Sequence, residues 1–202
     1  MQPIRDYKFA VGAGLVASIL WFFVLSHLAI AGEGVLIAGL LALPLVFVIA
    51  IGLAHSIFKK GMVHKGIKFL IVGVLNTGID FFIFNALIAY TGINSGSWVL
   101  TFKSISFVVA LMNSYEMNRL WTFDAESAEK RSKEEFSRFA TITLTSFLVN
   151  VGATALIANF IHPLFGLSQV RWDNVAAAVA TILNLISNFI GYKLYVFISE
   201  TA

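Results

Sequence analysis

The chain has 202 residues, of which 58% are hydrophobic and only 12% are charged, and its mean hydropathy is +0.85. An ordinary soluble domain carries about 25% charged residues, so this composition excludes that class and indicates an integral membrane protein. The absence of cysteine excludes disulfides and thiolate metal sites. The net charge of +3 comes from basic residues beside apolar segments, so we expect membrane lipids and no nucleic acid as partners.

Six apolar segments are long enough to cross a hydrocarbon core, which takes about 20 helical residues. They lack the period-2 alternation of barrel strands, so transmembrane helices are predicted. The predicted spans are residues 9–30, 35–57, 67–90, 98–120, 139–161 and 175–198. The first is too long for the apolar region of a signal peptide and a second span follows at once, so we expect it to be retained.

Basic residues concentrate on one side of these spans. Of the 14 lysines and arginines, 12 fall there: Arg5, Lys8, Lys59, Lys60, Lys65, Lys68, Arg119, Lys130, Arg131, Lys133, Arg138 and Lys193. The positive-inside rule therefore predicts a multi-pass protein of the plasma membrane with both termini in the cytoplasm. Trp98, Trp121 and Tyr195 would then lie in the aromatic belts at the membrane surfaces.

The sequence repeats itself at an offset of 74 residues. Aligned positions include polar residues and glycines: Asn76 with Asn150, Gly78 with Gly152, Ser114 with Asn188, Arg119 with Lys193, Trp121 with Tyr195, and Phe123 with Phe197. The predicted fold is thus an all-α polytopic membrane protein of six helices, whose last four form two parallel hairpin repeats. We expect an additional N-terminal hairpin at 1–60 and a four-helix domain at 61–202, comprising repeat one at 65–123, a cytoplasmic linker at 124–138 and repeat two at 139–197.

The linker is the longest polar segment, and its acidic residues precede basic residues by four positions. The pairs are Glu126 with Lys130, Glu129 with Lys133, and Glu134 with Arg138. This spacing predicts a short surface helix. Such a helix is either a solvated connector or a docking site for a cytoplasmic partner.

Two charged residues lie within the predicted spans. Asp80 is about 13 residues into the third span, near the bilayer midplane, where a charge costs about 2.5–3.5 kcal/mol on insertion scales. Asn76 lies one turn earlier on the same face. In an antiparallel hairpin Lys103 comes within about 7 to 8 Å of Asp80 along the helix axis, so it either bridges to Asp80 or extends outward. We expect both charges to face protein or water.

Polar and small residues form matching stripes on the fourth and sixth spans. The fourth carries Lys103, Ser106, Ala110 and Asn113; the sixth carries Asn174, Ala177, Thr181, Asn184 and Asn188. These stripes either hold helices together or line a ligand path. Arg119 and Lys193, at the cytoplasmic ends, either anchor helices to headgroups or hold a lipid phosphate between the repeats.

The four histidines lie near span ends: His27, His55, His64 and His162. Their spacing matches no metal motif, so we expect interfacial side chains and no metal site.

Residues 65–197 resemble the GtrA-like family of bacterial and archaeal membrane proteins. The resemblance rests on three segments: KFLIVGVLNTGIDF at 68–81, FKSISFVVALMNSYEMNRLWTF at 102–123 and SNFIGYKLYVF at 187–197. It implies a role in cell-surface polysaccharide synthesis, in which the family flips undecaprenyl-phosphate-linked sugars or acts beside the glycosyltransferase that uses them. The resemblance implies these substrate or lipid-phosphate ligands: Asn76, Asp80, Lys103, Asn113, Asn118, Arg119, Asn150, Asn188 and Lys193.

The chain departs from the family pattern in two places. Ala177 stands where family members often have a lysine, the repeat mate of Lys103, so a two-lysine phosphate clamp is reduced to one. Residues 1–60 lie outside the usual four-span core.

Three functions remain in order of preference. The first is a flippase for polyprenyl-phosphate-linked sugars. The second is a membrane adaptor that recruits a glycosyltransferase through the linker, and the third is a proton-coupled exporter of small solutes with Asp80 as proton carrier. We expect no enzyme activity, no catalytic residues and no cofactor, and homo-oligomerisation is left open.

Overall fold

Six α-helices account for almost all of the part of the chain that this computed structural model describes, residues 2–27, 32–58, 61–124, 133–164, 166 and 169–197. They are α1 Gln2–His27, α2 Glu33–Phe58, α3 Met62–Thr91, α4 Ser97–Met117, α5 Lys133–Phe160 and α6 Gln169–Gly191. All six are long and apolar enough to cross a membrane. The prediction of an all-helical protein with six spans is confirmed.

Several helices begin earlier than their apolar segments. Helix α3 starts five residues before the predicted span, and α5 and α6 each start six residues before theirs. A helix continues into the polar interface because its backbone hydrogen bonds do not depend on apolar side chains. The predicted span ends at residues 30 and 198, and residues 125–132 of the predicted linker helix, lie outside the described residues. Glu134 and Arg138 belong to α5.

The chain divides into two compact units, Met1–Glu126 and Ser127–Ala202. In the first, unit one, α3 contacts α1, α2 and α4, so it is the central helix. The hairpin of residues 1–60 packs on α3 within this unit. In the second, unit two, α5 and α6 pack against each other as a hairpin.

The core of unit one lies where α1, α2 and α3 meet. Alanines of α1 pack there against larger side chains, and the buried set is Ala10, Ala13, Ala17, Phe47, Ile51, Ile71, Val72, Leu75 and Trp121. Helices α1 and α2 approach closely at Gly14, where an added Cβ would lie 2.5 Å from the Cα of Pro44. Small residues permit such close approach between membrane helices.

Helices α4 and α6 both end in a π-helical turn. The first spans Asn118–Thr122 and the second Tyr192–Val196, an offset of 74 residues. The backbone N–H of Phe123 donates to the Asn118 carbonyl at 2.9 Å, and that of Phe197 donates to the Tyr192 carbonyl at 2.8 Å. A π turn inserts one residue and so changes the direction of the side chains that follow it.

Replacing Gly14 by alanine should lower the stability of unit one. The new methyl group meets backbone atoms of Pro44, and overpacking of this kind costs about 1–3 kcal/mol. Gly12→Ala on the same helix is the matched control, because nothing lies within 4 Å of its added Cβ. The unfolding temperatures of both variants in detergent are measured from the loss of the monodisperse peak in size-exclusion chromatography after heating. Equal unfolding temperatures for the two variants would contradict the tight helix contact.

Candidate functional site

Two clusters of polar residues lie at different heights along α3 in unit one. The Asp80 cluster consists of Asp80, Lys103 and Ser106, and the Asp6 cluster consists of Asp6, His55, His64, Lys68 and Trp121. Asp80 follows Lys68 by 12 residues on α3, which corresponds to about 18 Å along the axis. The Asp6 cluster therefore lies near the N-terminal end of α3, and the Asp80 cluster lies nearer the middle of that helix.

In the Asp80 cluster one carboxylate accepts from two side chains of α4. The Lys103 ammonium forms an ion pair with Asp80 Oδ2, and the Ser106 hydroxyl donates to Oδ1 at 2.6 Å. The Lys103 Nζ also lies 5.7 Å from the ring centroids of Phe81 and of Phe84, within range of a cation–π contact. Of the two positions left open for Lys103, the bridge to Asp80 is the one observed.

The ion pair is only partly enclosed by unit one. The Lys103 side chain is 49% exposed, whereas that of Asp80 is 19% exposed. The carboxylate is thus held by the protein from two directions, while about half of the Lys103 side chain remains exposed. An incoming anion could reach Lys103 without displacing the Asp80–Ser106 hydrogen bond.

A pair of amide side chains lies between the two clusters, on the N-terminal side of Asp80 along α3. The Asn113 Nδ2 donates to Asn76 Oδ1 at 2.6 Å, one turn from Asp80. Asn113 also lines a groove of about 420 Å³ in which α1 faces α4 across α3. Apolar side chains, including Leu75 and Ile79, form most of the groove wall, and Lys8 lies on its α1 side. The groove could hold an apolar chain next to the polar pair.

The Asp6 cluster joins three helices and the first π-helical turn. Asp6 is 1% exposed, and its Oδ1 lies 2.6 Å from Lys68 Nζ and accepts from Trp121 Nε1 at 2.9 Å. Its Oδ2 lies 3.0 Å from His64 Nε2 and 3.1 Å from His55 Nε2. Lys68 is itself buried, and its desolvation is tolerated only because the Asp6 carboxylate offsets the positive charge of the ammonium.

Sequence reasoning missed this cluster. We expected His64 and Trp121 to face the headgroups, but His64 is 4% exposed and Trp121 is fully buried, so protein encloses both side chains. The cause is Asp6, which attracts the buried indole and imidazole N–H groups as an acceptor. Asp6 precedes Trp121 by 115 residues, and the one available signal was an acid within a basic N-terminal segment.

The remaining predicted residues of unit one lie at the first π-helical turn. Asn118 is 1% exposed and its Nδ2 donates to the Ser114 carbonyl at 2.8 Å. Arg119 is 5% exposed, so it is enclosed by protein and does not extend freely to headgroups as an anchor would. These two residues are not brought into the Asp80 cluster.

In unit two the structure brings together two amides of α6. Asn188 Nδ2 donates to Asn184 Oδ1 at 2.6 Å. Asn150 lies in α5, where its backbone carbonyl accepts from Thr154 at 2.9 Å, and Lys193 lies half-buried in the second π-helical turn. The side chains of Asn174 and Ala177, which belong to the predicted stripe, are outside the described part.

Removal of the Asp6 carboxylate should destabilise unit one strongly. In Asp6→Leu the Lys68 ammonium stays buried without its partner, a situation that costs about 3–5 kcal/mol. The double variant Asp6→Leu/Lys68→Met removes the unpaired charge and should recover much of the loss, although Trp121 lacks its acceptor in both. Thermal unfolding in detergent measures the difference. Identical unfolding temperatures for the single and the double variant would refute the role assigned to the ion pair.

Comparison with known proteins agrees with this architecture. Residues 68–197 match the family described as GtrA/DPMS, transmembrane domain. The chain is also similar to the uncharacterized membrane protein YngA of Bacillus subtilis (strain 168), with 32% identity over 130 residues, which cover 64% of this chain and 77% of YngA. No solved structure shows significant similarity. The match includes the Asp80 cluster and both π-helical turns, and the chain therefore belongs to the GtrA/DPMS transmembrane-domain family.

Proposed function

We propose that this protein moves polyprenyl-phosphate-linked sugars across the plasma membrane for the synthesis of cell-surface polysaccharide or glycan, without catalysing a reaction. The observation that carries the proposal is the Asp80–Lys103 ion pair, which lies within two apolar spans and leaves Lys103 half-exposed. Family membership supports it, because the resemblance of the sequence implies the same process.

The physical obstacle to flipping is the anionic phosphate, which is strongly disfavoured in hydrocarbon. A lysine within the membrane offers the phosphate a counterion part of the way across. When Lys103 turns to the phosphate, Ser106 still donates to Asp80, so the carboxylate keeps one partner. The amides of Asn76 and Asn113 then offer further polar contacts one turn along α3.

The isoprenoid chain requires an apolar path beside this polar one. The groove between α1 and α4 supplies such a surface, and Asn113 in its wall places the amide pair next to it. In the proposed orientation Lys8 lies toward the cytoplasmic end of the groove, where it can approach a lipid phosphate. The lipid would thus enter with its phosphate near Lys8 and its chain along Leu75 and Ile79.

We propose further that both termini are cytoplasmic and that α3–α4 and α5–α6 are parallel repeats. The distribution of basic residues supports the orientation. The two π-helical turns support the repeat, because they end the second helix of each hairpin at the same 74-residue offset. On this view Arg119 and Lys193 are equivalent, and they join Asn118, Asn150 and Asn188 as proposed ligands of the lipid phosphate.

Transport should depend on the charge at position 103. We expect Lys103→Met to slow the movement of a fluorescent polyprenyl-phosphate sugar in proteoliposomes by about 10- to 100-fold, because a hydrogen bond to a charged group contributes about 1.5–3 kcal/mol. Lys103→Arg keeps the charge and should retain most activity. Ser104→Ala is the matched control, since among the described residues the exposed Ser104 bonds only to the Leu100 carbonyl of its own helix, at 2.8 Å.

Two results would count against this function. One is wild-type protein that moves the lipid no faster than empty vesicles do, and the other is normal transport by Lys103→Met. If Lys103→Met does not fold because Asp80 is left unpaired, Asp80→Asn/Lys103→Met removes both charges and provides the same test. Co-purification with a glycosyltransferase in the absence of transport would favour the adaptor function.

A further inference from the structure

The two oxygens of the Asp6 carboxylate have different surroundings. Oδ1 is occupied by Lys68 Nζ at 2.6 Å and Trp121 Nε1 at 2.9 Å. Oδ2 instead faces two imidazole nitrogens, His64 Nε2 at 3.0 Å and His55 Nε2 at 3.1 Å. The lysine and the indole therefore fix the carboxylate and turn its second oxygen toward the histidines.

The position of His55 is not explained by hydrogen bonding. Its Nε2 is buried and, despite the short distance to Asp6, has no hydrogen-bond partner among the described residues. The rings of His55 and His64 meet edge to face with centroids 4.4 Å apart, and both Nε2 atoms lie close to the same carboxylate oxygen. A carboxylate oxygen close to two imidazole nitrogens is a combination of ligand atoms that is typical of metal sites.

The distances fit a small metal ion. Asp6, His55 and His64 offer three ligand atoms that all lie within 4.8 Å of one another. In a tetrahedral site with bonds of about 2.0–2.1 Å, ligand atoms are roughly 3.3 Å apart, close to the two short separations observed here. An ion could enter with small side-chain rotations.

We propose that Asp6, His55 and His64 bind a divalent transition-metal ion, with Zn²⁺ as the best match, and leave its fourth position for water or an anion. Imidazole suits Zn²⁺, whereas Mg²⁺ and Ca²⁺ prefer sites made of several oxygen ligands. The Lys68 ammonium repels any cation at this place, so only an ion that bonds strongly to nitrogen can compete. Lys68 and Trp121 act as outer partners that orient the ligating carboxylate.

The ligands also indicate what the ion does. Asp6 belongs to α1, His55 to α2 and His64 to α3, so one ion ties the N-terminal hairpin to the central helix. All three residues precede the segment that matches the family, which begins at residue 68. Two of its three ligands belong to the added hairpin and the third lies near the start of α3, so the metal site does not follow from the proposed transport function.

The test is Zn²⁺ titration of the full-length protein in detergent, without an affinity tag that contains histidine, after treatment with a chelator and in excess Mg²⁺. We expect one Zn²⁺ per chain by calorimetry and a higher unfolding temperature with Zn²⁺. Co²⁺ in place of Zn²⁺ should give the visible absorption of a four-coordinate site. These measurements require no transport assay, so they can fail or succeed independently of the flippase proposal.

His55→Phe is the informative variant. It removes one ligand but keeps a ring beside Tyr7, whose centroid lies 5.9 Å from that of His55, and it breaks no hydrogen bond of Nε2 within the described part of the chain. We expect its affinity for Zn²⁺ to fall at least 100-fold, while its stability without metal stays that of the wild type. His27→Phe, at the other end of α1, is the control and should bind as the wild type does.

The proposal is overturned if wild-type protein binds no Zn²⁺, or if His55→Phe binds it with unchanged affinity and stoichiometry. Equal loss of binding in His27→Phe would also overturn it, because the ion would then lie at an adventitious surface site. If His55→Phe does not fold, His55→Gln removes the ring nitrogen with a smaller polar side chain and is judged by the same outcomes.

Discussion

The packing of unit one depends on the need to pair the charged and polar side chains that α3 carries into the membrane. This single helix contains Lys68, Asn76 and Asp80, and hydrocarbon offers none of them a partner. Each is paired by another helix: Lys68 by Asp6 of α1, Asn76 by Asn113 of α4, and Asp80 by Lys103 of α4. Apolar packing brings the helices together, but it does not fix their relative heights. The polar pairs do so, because a shift of one turn along the axis would separate all of them.

The two charged pairs differ in a way that suggests different tasks. Asp6 and Lys68 are almost completely buried, with further partners on both carboxylate oxygens, and such a pair serves mainly to fix a structure. The Asp80–Lys103 pair leaves its lysine half-exposed. A charge that is held by only one side can exchange partners, which is the property that a path for an anion requires. This contrast is why we assign transport to the second pair and anchoring to the first.

The sequence was sufficient to predict those features that depend on a local property of the chain or on helix geometry. Six helices follow from the length of the apolar segments, and the meeting of Asp80 with Lys103 follows from their heights in an antiparallel hairpin. The Asp6 cluster could not be predicted in the same way. Its members come from three helices and a π-helical turn, and neither the rotation of α1 about its axis nor the added residue in that turn leaves a periodic pattern. Trp121 therefore looked like an interfacial aromatic residue, although it is a buried hydrogen-bond donor.

The order in which the paired residues are synthesised affects how the chain can enter the bilayer. Asp80 emerges from the ribosome 23 residues before Lys103, and Asp6 emerges 62 residues before Lys68. Each carboxylate therefore precedes the ammonium group that neutralises it. Keeping α3 in a hydrated or protein-lined environment until α4 has been made, and α1 until α3 has followed, avoids the cost of about 2.5–3.5 kcal/mol that an unpaired charge adds to the insertion of a single helix. Release of the four helices of unit one together is consequently favoured, because each of these charges then enters the lipid already paired.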